Sequence, residues 1–175
     1  MITVEEYRAL PEKPGCYVEL HHGELVEVPI PKFGHWRLMN DLVDLLKPLA
    51  GELGLVGYQF PFRAVPEYDL RAAGVAFLSR ARWKACDPDD NLHGAPEIVV
   101  ELVSEQHKAM DLNEKEELCL QNGCLEFWIV DPKRRTVKVT TRLSVTIKYS
   151  EGDQIPLPIL GNATLSVAEI FETPK

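Results

Sequence analysis

Between Glu97 and Asp131 the chain reads apolar run, helix, apolar run, and that order restricts the fold more than any other feature of the sequence. Glu97-Ile98-Val99-Val100-Glu101-Leu102-Val103 is almost continuously apolar, the pattern of a strand covered on both faces. Residues 106–122 suit a helix that Gly123 can end. Leu125-Glu126-Phe127-Trp128-Ile129-Val130-Asp131 then forms a second buried strand. The unit reads as βαβ, with the helix crossing right-handed over one face of two parallel strands. The expectation is an α/β domain built on a mixed, mainly central-parallel sheet flanked by helices. At 175 residues the chain reads as a single domain over 1–175, in which folding buries roughly 70% of the surface of the unfolded chain.

The flanking segments fit that frame. Thr3-Val4-Glu5-Glu6 has the form of a capping box and predicts a short helix over residues 3–9, ended by Pro11 and Pro14. Tyr17-Val18-Glu19-Leu20-His21 and Glu24-Leu25-Val26-Glu27-Val28 alternate on either side of His22-Gly23, which predicts a hairpin. From Gly34 to about Leu53, leucines 38, 42, 45, 46, 49 and 53 recur at helical spacing, the mark of a long amphipathic helix. Leu55 to Phe62 and Gly74 to Ser79 read as strands, and Arg80 to His93 as a loop after a brief helical turn. The acidic stretch Asp87-Pro88-Asp89-Asp90-Asn91 lacks the glycine and closing glutamate of a calcium loop and reads as a solvated turn. Thr136 to Thr141 and Ser144 to Tyr149 predict a hairpin on the sheet edge. A Pro-rich turn and a helix over Ser166 to Phe171 complete the chain.

Charge and cysteine usage narrow the function classes. Nineteen Lys plus Arg against 27 Asp plus Glu give a net charge of −8, which opposes bulk attraction to phosphate backbones or anionic lipid. Any nucleic-acid contact is therefore local. The N-terminus lacks the basic and apolar segments of a secretory signal, no apolar stretch is long enough to span a bilayer, and a cytoplasmic location without membrane contact is expected. Cys16, Cys86, Cys119 and Cys124 lack the close pairing of a zinc site and read as reduced, structural thiols.

Several residues break the local pattern. Glu101 sits inside the most apolar strand, where an unpartnered carboxylate costs several kcal/mol. It must be paired, hydrogen-bonded or protonated: a metal ligand or catalytic acid on one reading, a satisfied ion pair on the other. Lys115, on the crossover helix, lies on an arc that need not face water, and Asp111 four residues earlier is its alternative partner in a simple helix pair. Glu19 lies between Val18 and Leu20 on the first strand, either as a site carboxylate or as a surface acid on an edge. His35, at the start of the long helix, is a candidate ligand or proton shuttle with a structural alternative.

The order of these segments resembles the Uma-two family of endonucleases, a bacterial domain with the restriction-endonuclease-like PD-(D/E)XK fold. The likeness runs from about Thr3 to Phe171. It is carried by Val18-Glu19-Leu20 and Gly23-Glu24-Leu25, by Pro31 and His35, and by Gly74-Val75-Ala76-Phe77. Its most specific stretch is Gly94 to Ser104, continued by Asp111, Lys115, Gly123 and Glu126 to Pro132. The resemblance implies a phosphodiesterase site using Mg²⁺, with Mn²⁺ as an alternative, in which Glu101 and Glu19 hold the metal and Lys115 steadies the attacking water or the phosphate. Mg²⁺ suits such oxygen ligands and stabilises charge on a scissile phosphate. Two departures stand out: Val103 occupies the position of the motif lysine, and Ala73-Gly74 stands where relatives carry Pro-Asp. Asp69 is no obvious substitute, being five residues and roughly 16 Å back along an extended chain, with the odd offset reversing its face.

Three functions follow as expectations. The first is a metal-dependent nuclease hydrolysing DNA phosphodiester bonds. The second is a catalytically inactive relative that binds nucleic acid or a protein through the same cleft, and the third an enzyme of another class reusing it. Arg80, Arg82 and Lys84, and Lys133-Arg134-Arg135, are weak basic clusters that also suit solvated turns. A homodimer is compatible with cutting two strands, with Phe60-Pro61-Phe62 and the 136–149 hairpin as contact surfaces.

Overall fold

A computed structural model describes residues 1–11, 17–104 and 109–172. In chain order the elements are helix α1 (Val4–Arg8), strands β1 (Tyr17–His21) and β2 (Glu24–Val28), helix α2 (Phe33–Ala50), strands β3 (Gly54–Arg63) and β4 (Arg71–Ser79), helix α3 (Arg80–Ala85), strands β5 (Leu92–His93) and β6 (Ile98–Leu102), helix α4 (Ala109–Gln121), strands β7 (Glu126–Asp131), β8 (Thr136–Thr141), β9 (Thr146–Ser150), β10 (Gln154–Leu157) and β11 (Ala163–Ser166), and helix α5 (Val167–Phe171).

Seven strands form one sheet in the order β5-β3-β4-β6-β7-β8-β9. β6 and β7 are parallel, with Val100 opposite Trp128, and α4 crosses between them, so the βαβ unit read from the sequence is present. The sheet is mixed but not mainly parallel. Apart from the two-residue pairing of β5 with β3, its remaining pairs are antiparallel. The reason is local: β3 to β4, β7 to β8 and β8 to β9 are joined by short connections, which can only reverse the chain.

Both faces of the sheet are covered. On one, α2, α5 and the β10–β11 ribbon pack on Val75, Val100, Trp128 and Val139. On the other, Leu118 and Cys119 of α4 pack with Ala76, Val99 and Phe127. This accounts for the apolar run of β6, whose five residues are all buried.

Local chemistry explains several element ends. Thr3 Oγ accepts from the Glu6 N–H while the Glu6 carboxylate accepts from Thr3 N–H, closing the expected capping box. His22 and Gly23 have φ of 49° and 76°, the pair of left-handed residues that a two-residue hairpin turn needs. α2 stops at Ala50, short of the predicted Leu53, because Gly51 turns to φ 46° and residues 51–53 tighten into a 3₁₀ turn; Leu53 is half exposed, so the last leucine of the series is not a core position. The Pro-rich segment is not merely a turn. Gln154–Leu157 pairs with Ala163–Ser166, burying Ile155, Leu157 and Leu165, and Pro156 is tolerated because each strand of a two-stranded ribbon is an edge.

Of the cysteines, Cys119 and Cys124 are buried free thiols and Cys86 is half-buried; burial pushes the Cys119 thiol up to about 12, an unreactive range. Cys16 lies outside the described residues, as do Pro14 and the predicted first turn of the crossover helix at 106–108. Phe62 is fully buried and unavailable as a contact surface, whereas Ile147 on β9 is half exposed. Among the described residues no helix is long and apolar enough to cross a membrane.

Asp90, in the acidic loop, serves the fold. It accepts hydrogen bonds from Arg8, from Arg63 Nη1 at 2.9 and 3.0 Å, from the Asn91 N–H and from His93, tying the loop to α1 and β3. Burial alone would raise its carboxyl, but these hydrogen bonds prevail and hold it well below the usual range. A depressed folded-state value stabilises the ionised form, so this contribution is present at neutral pH and is lost as pH falls below about 4. Denaturation curves taken from pH 7 down to pH 3 are expected to show a steeper loss of stability for the native chain than for Asp90→Asn; parallel curves would contradict the assignment.

Candidate functional site

The site begins where two strands part. β4 pairs with β6 over Val75, Ala76 and Phe77 only, so the β6-facing backbone groups of Ala72 and Gly74 lose their ladder partners. A buried main chain cannot leave such groups open. At Leu70 the gap is closed by β1, which exchanges two 2.9 Å hydrogen bonds with it through Leu20. Beyond that point side chains take over. Glu19 Oε1 accepts from the Ala72 N–H at 2.9 Å, Lys115 Nζ donates to the Ala72 carbonyl at 2.7 Å, and Glu101 Oε1 accepts from the Gly74 N–H at 3.1 Å. Successive N–H groups on one edge of a strand are about 7 Å apart, which sets the two carboxylates in adjacent places.

Lys115 joins them. Its Nζ lies 2.8 Å from Glu101 Oε1, so the lysine pairs with the strand glutamate across the βα crossover and not with Asp111, which is exposed on the outer side of α4. Burial works against the ammonium, yet the charges of Glu101 and Glu19 hold its pKa above the usual lysine value. Glu101 is 5% exposed and Glu19 6%. Glu19 is therefore not the surface acid of an edge strand. Burial tends to raise its carboxyl, but the hydrogen bond from His21 and the Lys115 charge outweigh it and lower the pKa. His21 Nε2 lies 2.7 Å from Glu19 Oε2.

Gly74 closes the site from below. A Cβ there would lie 2.8 Å from the Val100 carbonyl oxygen, 3.6 Å from Glu101 Oε2 and 3.7 Å from the Met39 sulfur. The backbone of β6 thus stands in space that a side chain would need. His35 stands half-buried in the first turn of α2, one turn before Met39 on the same helix face. Val103, one residue beyond β6, is apolar, and its N–H donates to the Val130 carbonyl at 2.8 Å.

Beside this group lies a second one. Asp69 does not reach Gly74; with Arg71 it is fully buried, and Arg71 Nε donates to Asp69 Oδ1 at 2.8 Å. The Arg71 fork also grips Glu114 of α4, at 2.6 and 3.0 Å, and His22 Nε2 meets Glu114 Oε1 at 2.6 Å. No local sequence pattern marks His21, His22, Arg71 or Glu114 as a site residue. A usable signal existed for one pair: Asp69 and Arg71, two apart in an extended stretch, share a face.

The basic clusters are engaged elsewhere. Arg80 pairs with Glu52, Arg82 with Glu97 and the Ala95 carbonyl, Arg134 with Asp131 and Arg135 with Glu151. Among the described residues no three His, Cys, Asp or Glu side chains are grouped to hold a metal. The donor set still suits a hard cation in a limited way. Glu101 Oε2 and the Glu19 carboxylate would offer oxygen donors, and Mg²⁺ is commonly held by one or two carboxylates with water and substrate phosphate completing its shell.

Comparison with known proteins places this geometry in context. A family model, Uma2, described as "Putative restriction endonuclease", matches residues 4–168. Among solved structures the chain is similar to one titled a "putative nuclease belonging to DUF820" from Anabaena variabilis, with a TM-score of 0.83 and 17% identity, covering 98% of each chain. No curated protein matches it.

Proposed function

Because the chain belongs to the Uma2 family, we propose that it is a metal-dependent nuclease of the restriction-endonuclease-like class acting on DNA phosphodiester bonds. The observation that carries this reading is the buried contact of Lys115 Nζ with Glu101 Oε1 at 2.8 Å, with Glu19 held at the neighbouring N–H of β4. Glu101 and Glu19 would hold Mg²⁺ or Mn²⁺, which when bound supplies charge stabilisation at the phosphate and a more acidic water. Glu101 also orients Lys115, whose ammonium is available to a phosphate oxygen or to the attacking water. The Lys115 contact with the Ala72 carbonyl fixes the amine without neutralising it. A second reading, a catalytically inactive relative that binds nucleic acid through the same cleft, is favoured by one observation: at Gly74 the Val100 carbonyl oxygen would lie 2.8 Å from a Cβ, which leaves no room for a third carboxylate.

The test is cleavage of supercoiled and single-stranded DNA with Mg²⁺ or Mn²⁺ by the native chain, Glu101→Gln and Lys115→Met. Nicking by the native chain that falls at least about a hundredfold in both variants is the expected result, the size seen when a charge-stabilising group is removed. Retention of DNA binding without cleavage would transfer the assignment to the binding module. Cleavage indifferent to Glu101 would end the proposal.

A further inference from the structure

Apart from Glu101 on β6, the groups of the site come from three elements: Glu19 from the β1–β2 hairpin, the open edge at Ala72 and Gly74 from β4, and Lys115 from α4. Each has a near neighbour in the charged group alongside. His22 follows Glu19 by three residues, Arg71 precedes Ala72, and Glu114 precedes Lys115. We infer that the ring of Asp69, Arg71, Glu114 and His22 is a positioning device that sets Lys115 against Glu101.

The geometry is a closed circuit. Arg71 donates Nε to Asp69 Oδ1 and both terminal nitrogens to Glu114. His22 returns from Glu114 Oε1 to Asp69, through its backbone N–H to Oδ1 at 3.3 Å and with Nδ1 3.4 Å from Oδ2. That Oδ2 is buried and accepts no hydrogen bond, so Asp69 is held for its charge and place, not by full hydrogen-bond satisfaction. Leu112, Leu118 and Cys119 bury α4 on the sheet, but apolar contact is non-directional. A two-pronged arginine–carboxylate contact is directional, and on a helix it fixes the next residue at about 100° of rotation. Arg71 thereby determines both the rotation of α4 at Lys115 and, through Asp69 and His22, the seat of the hairpin that carries Glu19. Its effect on cleavage rests on the proposed function; its effect on Lys115 does not.

The experiment is reductive methylation of the folded protein, read lysine by lysine by mass spectrometry, for the native chain, Glu114→Gln and Arg71→Lys. Glu114 is half exposed, so its variant keeps the fold, and Tm verifies this. Methylation of Lys115 relative to the exposed Lys148 is expected to rise at least about tenfold in Glu114→Gln, as for a local opening. Arg71→Lys, which keeps the charge but loses the fork, is expected to give a smaller rise. Where the chain cleaves DNA, kcat falls in both while KM is unchanged. Lys115 remaining as protected in both variants as in the native chain overturns the inference. Loosening of Lys115 in a chain that never cleaves DNA leaves the ring standing and removes the nuclease reading; cleavage with Lys115 unmoved does the reverse.

Discussion

Arg71→Met is expected to lower the unfolding free energy by about 3–5 kcal/mol, the range for breaking a buried ion pair from one side. Arg71 and Asp69 are both fully buried. Burial acts against the guanidinium, but the hydrogen bonds with Glu114 and the Asp69 charge raise its pKa. Methionine fills similar volume, so the loss reports charge and not a cavity. Removing the cation takes from the buried Asp69 carboxylate its Arg71 partner, with one oxygen already lacking a hydrogen bond. In urea the midpoint falls by about 1.5–2.5 M at a denaturant sensitivity of about 2 kcal/mol/M. Adding Asp69→Asn to Arg71→Met removes the orphaned charge and recovers most of the loss, because absent pairs cost far less than broken ones. A single variant within about 1 kcal/mol of the native chain would mean that Asp69 reaches water or a proton when its partner is gone.

Gly74→Asp, which would set a third carboxylate beside Glu101, is expected to destabilise by about 3 kcal/mol and to leave cleavage no faster. The Cβ meets the Val100 carbonyl oxygen at 2.8 Å, and that oxygen belongs to β6 backbone locked between β4 and β7. It cannot swing aside as a side-chain tip can. The new carboxylate would also lie near Glu101 Oε2, itself 3.6 Å from the Cβ position, where like charges oppose ionisation. Gly74→Ala separates the two effects: it carries the steric cost of about 1–3 kcal/mol, and the difference between the alanine and aspartate variants reads the charge. A stable Gly74→Asp that cleaves faster than the native chain would show that the strands can part and that the site lacks only a ligand.

The native chain and Gly74→Asp together also separate the readings of function. If the β6 backbone has closed over Gly74, any catalysis must come from Glu19, Glu101 and Lys115 alone. That set offers two carboxylates and an ammonium already hydrogen-bonded to one another's neighbours. Native cleavage together with a crippled Gly74→Asp identifies a nuclease refitted around a smaller carboxylate set. Absent native cleavage with retained DNA binding identifies a module that kept the cleft and lost the chemistry.

What the sequence determined by itself was whatever depends on neighbours in the chain. The apolar runs of β6 and β7 announced a doubly covered pair, Thr3 and Glu6 a capping box, and His22-Gly23 a hairpin, because side-chain period and turn conformation are local. Glu101 was visible for the same reason, a charge standing where the local pattern forbids one. Its partner was not. On the helix Asp111 and Glu101 were equally available to Lys115, and only the docking of α4 decided for Glu101. The burial of Glu19 was likewise hidden, since strand alternation cannot reveal that β4 leaves β6 at Val75 and exposes two N–H groups for carboxylates to take. Arg71 and Glu114 lie 43 residues apart, and the approach of Val100 O to Gly74 depends on how closely two strands pack. Such contacts are set by the summed packing of the whole sheet and its two helical layers, and no local sequence pattern carries that information.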